Sequence, residues 1–156
     1  MIANARASAS STRGLARLIC AAGLFAIVAL PAGAADAQPR FANYPAKVTY
    51  SGKPAPVDLA SHRDARRFRT NLRRGAARGP NFAGAYTVVT WGCGTACQVV
   101  AVVDARSGKV AFASDAASAG VTFRRGSRLL VFNPDKIMNQ PARYLVFENG
   151  TFRKVR

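Results

Sequence analysis

The chain has 156 residues, 23 of them Lys or Arg against 7 Asp or Glu, for a formal net charge of +16. That length suits one small domain and excludes a closed ring of β-propeller blades, each of which takes about 40–45 residues. A field of this sign attracts anions and works against cationic targets such as lysozymes; it says nothing about fold.

The amino terminus carries a three-part pattern. Arg6, Arg13 and Arg17 form a basic lead, Leu18 to Leu30 is an almost unbroken apolar run of thirteen residues, and small residues follow to Ala35-Asp36-Ala37. This is the pattern of a secretory signal cleaved before Gln38. The run is short of the about 20 residues that a membrane-spanning helix needs. Cys20 lies at the front of the run and is expected to leave with the signal. Residues 1–37 are therefore read as a signal peptide and 38–156 as a single β-rich domain, periplasmic or secreted. The mature chain keeps 20 basic and 6 acidic side chains and only two cysteines, Cys93 and Cys97.

Residues 38–44 show no periodicity. Lys47–Tyr50 reads as a short strand, and Lys53-Pro-Ala-Pro-Val57 as an extended connector, because proline excludes helix within and before it. Ser61 to Arg74 reads as a helix, giving the domain an Arg-rich helix near 61–75. Ser61 and Asp64 fit a capping box, and Gly75 is the expected terminator. Ala65, Phe68, Leu72 and Ala76 draw a narrow apolar stripe, so the helix must dock on something. Its other faces carry Arg63, Arg66, Arg67, Arg69, Arg73 and Arg74, with Arg78 just beyond. Arg73 and Arg74 suit the carboxyl end of the helix dipole, whereas Arg63 and Arg66 oppose it at the start.

From Phe82 the pattern turns to strands. Ala85–Trp91 and Gln98–Asp104 are β-branched and aromatic, read as buried on both sides and hence central. Val110–Ala113 follows the Arg106–Lys109 turn, and Val121–Phe123 with Arg128–Phe132 reads as a hairpin. Asn133–Pro141 is a longer loop. Arg143–Glu148 and Thr151–Val155 flank Asn149-Gly150, the strongest short hairpin signal. Asn149-Gly-Thr151 also matches a glycosylation acceptor, but the turn explains it. The expected fold is α+β and mostly β: one antiparallel meander sheet of about seven strands with one N-terminal helix packed on it.

The cysteines sit between the two valine-rich strands, in Trp91-Gly-Cys-Gly-Thr-Ala-Cys-Gln98. Four extended residues would hold them about 13 Å apart, while a disulfide needs Cα atoms within about 7 Å. The chain must turn at Gly94-Thr95-Ala96, and a three-residue hairpin loop would set the cysteines opposite each other. An exported chain is expected to oxidise such a pair. Structural zinc needs four ligands, and the mature chain offers two thiols and His62. A thioredoxin-type pair has two intervening residues rather than three.

Gly79-Pro-Asn-Phe-Ala-Gly84, Tyr86 and Trp91-Gly-Cys-Gly-Thr-Ala-Cys97 resemble a group of small exported bacterial proteins of no settled activity. The likeness extends to Tyr50–Asp58 and to Glu148-Asn-Gly150, so it covers most of the mature chain. It implies export and a small domain, not a chemistry. Members of that group carry a histidine where this chain has Ala85, so histidine chemistry is not carried over.

No catalytic constellation is visible, and neither a metal nor a cofactor is expected. His62 reads as a helix first-turn residue rather than a base. Asp104, Asp115, Asp135 and Glu148 are scattered near turns, and Trp91, Phe82 and Tyr86 read as packing. Seven arginines between Arg63 and Arg78 face one acid, Asp64. The expectation is a small binding or accessory protein whose arginine helix contacts an anionic envelope polymer, lipid head groups or an acidic protein. Genomic nucleic acid is not an expected partner, because the chain is exported. The alternatives are a thiol–disulfide activity at Cys93/Cys97 and an inhibitor of an envelope enzyme.

Overall fold

The computed structural model describes residues 38–134 and 139–156. Residues 1–37, read above as a signal peptide, and part of the 133–141 loop, with Asp135, lie outside the described residues.

Among the described residues, a 3-10 turn (Phe41–Asn43) is followed by one α-helix and seven strands: α1 (Arg69–Ala76), β1 (Tyr86–Gly94), β2 (Cys97–Asp104), β3 (Val110–Phe112), β4 (Val121–Phe123), β5 (Leu129–Phe132), β6 (Arg143–Glu148) and β7 (Thr151–Val155). The strands make two antiparallel sheets, β1-β2-β3 and β4-β5-β6-β7, not the single meander expected. The physical reason lies in β2. Its side chains alternate between two faces with period two, and both faces are apolar. Val100 and Val102 point one way, joining Val88 against Leu130, Phe132, Leu145 and Phe147 of the second sheet. Ala101 and Val103 point the other way, joining Val89 and Val110 against Ala65, Leu72 and Ala76. One short helix covers only one face, so the second sheet folds over the other. The outer face of that second sheet is partly closed by Phe41 and Tyr44 over Leu129, Val131 and Val146.

β2 is central, as read from its composition, but β1 pairs only with β2 and is an edge strand. The crossover between sheets is the small polar stretch after β3. Buried Asn133 holds it, accepting the Ser118 and Ala119 N–H groups at 2.8 and 2.9 Å.

The helix is shorter and later than expected. It spans Arg69–Ala76, and Arg63–Phe68 form irregular turns instead. It also follows the long segment 38–68 rather than opening the domain. The capping box fails because its hydroxyl is used elsewhere. Ser61 Oγ donates to the Asp58 carbonyl at 2.6 Å and accepts the Val110 N–H at 2.9 Å, tying the loop to β3. The Asp64 N–H donates to His62 Nδ1. The apolar stripe is as read: Ala65, Leu72 and Ala76 are buried and Phe68 is half-buried. Gly75 does not terminate the helix. It lies within it, where a Cβ would overlap the Val89 side chain, so the helix lies tight on β1. The left-handed residue after the helix is Gly79, at φ +83°.

Lys47–Tyr50 is not a strand. It crosses the chain at Gly84, whose φ of +76° and contact with the Val48 carbonyl leave no room for a side chain. The Tyr50 N–H donates to the Gly84 carbonyl there at 2.9 Å. The Asn149-Gly150 turn forms as read, with φ values of +50° and +79° and Glu148 facing Thr151.

Candidate functional site

The seven arginines come from two kinds of backbone. Arg63, Arg66 and Arg67 ride the irregular turns, Arg69, Arg73 and Arg74 ride α1, and Arg78 follows it. Arg63 and Arg66 therefore do not oppose a helix dipole, because they stand outside the helix. All seven are exposed. Arg63 Nε lies 3.5 Å from the Asp64 carboxylate, but Arg63 is 91% exposed, and ion pairs of that kind contribute little. The Arg67 guanidinium sits 5.3 Å over the Phe68 ring. Among the described residues no carboxylate lies within ion-pair distance of Arg66, Arg69, Arg73, Arg74 or Arg78. This is a surface of unneutralised guanidinium groups, each with a planar fork of donors.

Cys93 and Cys97 are bonded, with Cα atoms 5.1 Å apart, but they do not face each other across the ladder. Gly92 pairs with Gln98 and Gly94 with Cys97, so Cys93 is the extra residue of a bulge. Gly94 at φ +136° and Ala96 at φ +50° carry the tight turn, leaving Thr95-Ala96 as its tip. Cys93 is exposed and Cys97 half-buried.

Behind the hairpin lies an aromatic cluster. Trp91 packs 4.9 Å from Phe68 and 6.0 Å from Phe112, and His62 stacks 4.6 Å from Phe112. His62 is thus a packing residue whose Nδ1 accepts a backbone N–H. Trp91 Nε1 is buried with no acceptor among the described residues.

A cleft between the two sheets brings together residues that sequence separation hides. Tyr86, Phe147 and Asn149 line both of its adjoining recesses, of about 170 and 340 Å³. On one wall Arg106 grips Asp104, Nη2 to Oδ2 at 2.8 Å and Nε to Oδ1 at 3.0 Å, and donates to the Tyr86 hydroxyl at 3.2 Å. On the other wall Arg128 pairs with Glu148 and donates to the Pro45 carbonyl. Partial burial works to raise the Asp104 pKa, but the hydrogen bonds and charge of Arg106 outweigh it and hold the carboxyl below its usual range. The Arg128 hydrogen bond likewise lowers Glu148, helped by Arg153. The acids that read as scattered thus divide: Asp104 and Glu148 enter the cleft, whereas Asp115 pairs with Arg143 and Lys154 elsewhere. Only the Asp104/Arg106 spacing across a turn hinted at this arrangement.

Each acid in the cleft is neutralised by an arginine, so neither is poised as a base. Among the described residues no three His, Cys, Asp or Glu side chains cluster as metal ligands, and no helix is long and apolar enough to cross a membrane. Compared with protein-family models, with curated proteins and with solved structures, the chain matches none.

Proposed function

We propose that this chain is a small exported binding protein, periplasmic or secreted, whose arginine surface from Arg63 to Arg78 holds an anionic component of the envelope. The observation that carries the reading is seven exposed arginines against one nearby acid, Asp64. Only Arg73 and Arg74, in the last turn of α1, favour the helix dipole; the other five do not serve the helix in this way. None of these side chains is buried, and among the described residues five of the seven arginines have neither a carboxylate nor a ring partner. The amino-terminal pattern and the Cys93–Cys97 bond support export, since disulfides persist in oxidising compartments. Near an acidic membrane each basic residue contributes about 1 kcal/mol, so only the set acting together retains a partner.

The test is retention of the purified protein on anionic vesicles or an acidic polysaccharide across a salt series. Binding is expected to weaken steeply with salt, and to fall by at least about tenfold when Arg66, Arg67, Arg73 and Arg74 are replaced by Gln. Unchanged retention in that variant refutes the reading. The exposure of Cys93 favours one alternative, thiol–disulfide exchange at the hairpin tip. A redox titration separates the two: a reduction potential below about −300 mV marks an inert staple, and a much higher one marks an exchanging pair.

A further inference from the structure

Two of these arginines do more than charge a surface. Asn71, Arg74 and Arg78 recur at the i, i+3, i+7 spacing that places side chains on one helical face. The chain keeps turning past α1, because the Arg78 N–H donates to the Gly75 carbonyl at 3.2 Å. All three line a recess of about 370 Å³ between the end of α1 and the outer edge of β1. Thr90 and Trp91 supply the β1 side, and Phe123 closes the apolar floor. No carboxylate lines it.

The β1 edge contributes a backbone donor. The Asn81 side chain grips Val88 from outside the sheet: its Oδ1 accepts the Val88 N–H at 2.7 Å, and its Nδ2 donates to the Val88 carbonyl at 3.2 Å. Val88 N–H therefore points away from β2. In an antiparallel ladder the direction alternates, so Thr90, two residues on, also turns its N–H outward. Among the described residues β1 has no strand on that side. The recess thus gathers two unneutralised guanidinium forks, a carboxamide, a hydroxyl and an edge N–H.

We propose that this recess binds a phosphomonoester, with Arg74 and Arg78 holding the phosphoryl oxygens and Thr90 and Asn71 completing the set. Guanidinium forks match phosphate geometry, and charge-assisted hydrogen bonds are the strong class. The volume falls at the lower end of ligand pockets and exceeds what a bare phosphate fills. The group therefore arrives on a sugar or polyol, which packs on Trp91 and Phe123. The proposal deepens the reading of the arginine surface and rests on its being an anion site.

Trp91 is the chain's one tryptophan and lines the recess, so its emission reports occupancy. The purified protein is titrated with inorganic phosphate and with glycerol phosphate, at ionic strength matched by chloride. Saturable changes are expected, with glycerol phosphate tighter by about tenfold. Arg74→Gln with Arg78→Gln weakens both by at least about tenfold, whereas Arg40→Gln with Arg156→Gln, which removes the same charge outside the arginine surface, stays within about twofold. All four arginines are exposed, and matching circular dichroism and urea midpoints confirm that the variants fold. The proposal is overturned if no saturable response appears, or if both double variants weaken it alike. Phosphatidylglycerol vesicles separate the sources. A response to vesicles but to neither soluble phosphate overturns the recess and leaves the arginine surface standing. A response to soluble phosphates without vesicle retention supports the recess and excludes lipid as the source of the phosphoryl group.

Discussion

Asn133 has 1% of its surface exposed and a left-handed backbone at φ +53°. Its Oδ1 is the acceptor for two N–H groups of the chain that crosses between sheets. Asn133→Ala strands both donors and keeps the unfavourable φ. The expected loss is about 2–3 kcal/mol, read as a lower urea midpoint. Asp104 carries a pH dependence. Its folded pKa lies below the ordinary value, so its contribution is complete above about pH 5 and is lost as pH falls through the folded value. Because Arg106 is 42% exposed, the effect is about 1 kcal/mol. Asp104→Asn should remove that part of the acid loss of stability, seen in urea midpoints between neutral and acid pH. Neither residue's role was legible in the sequence. Asn133 read as the start of a loop because its partners, Ser118 and Ala119, lie beyond the reach of local pattern. Asp104 read as a turn acid because its local pairing with Arg106 does not reveal the distant Tyr86 that places the pair in the cleft.

Element positions were far more legible. All seven strands follow from β-branched runs and turn residues, since both signals are local. The start of the helix was not. Ser61 has the right type and spacing for a cap, yet its hydroxyl bonds to Asp58 and Val110, a long-range competitor invisible to a capping pattern. The hairpin staple was legible as a bond but not as a bulge, because a one-residue register shift depends on Gly94 adopting φ +136°. Closing so small a loop contributes about 2 kcal/mol in the chain-entropy account. Replacing Cys93 and Cys97 with Ala should lower stability by about that amount and speed amide exchange in β1 and β2 first, measured by urea unfolding and hydrogen exchange. Loss confined to the hairpin, with the second sheet unaffected, is the expected pattern, because that sheet has its own ladder.

At the scale of the molecule, an excess of basic over acidic groups this large repels itself in the folded state. Added salt screens that repulsion, so the urea midpoint should rise between low and moderate ionic strength; a flat or falling midpoint would show that the charges are already compensated. The split into two sheets was not legible, because a meander and a folded-over meander share one strand pattern. What decides is the need to cover both faces of β2. The carboxamide of Asn81 has one more consequence. By occupying both backbone groups of Val88 it impersonates an adjoining chain, and only the last stretch of that border stays available for pairing. That remaining stretch begins beside Arg74 and Arg78, so identical copies repel each other there. A polyanion that cancels those cations would lift the barrier, and the same encounter that captures a ligand would let captured molecules line up side by side along it.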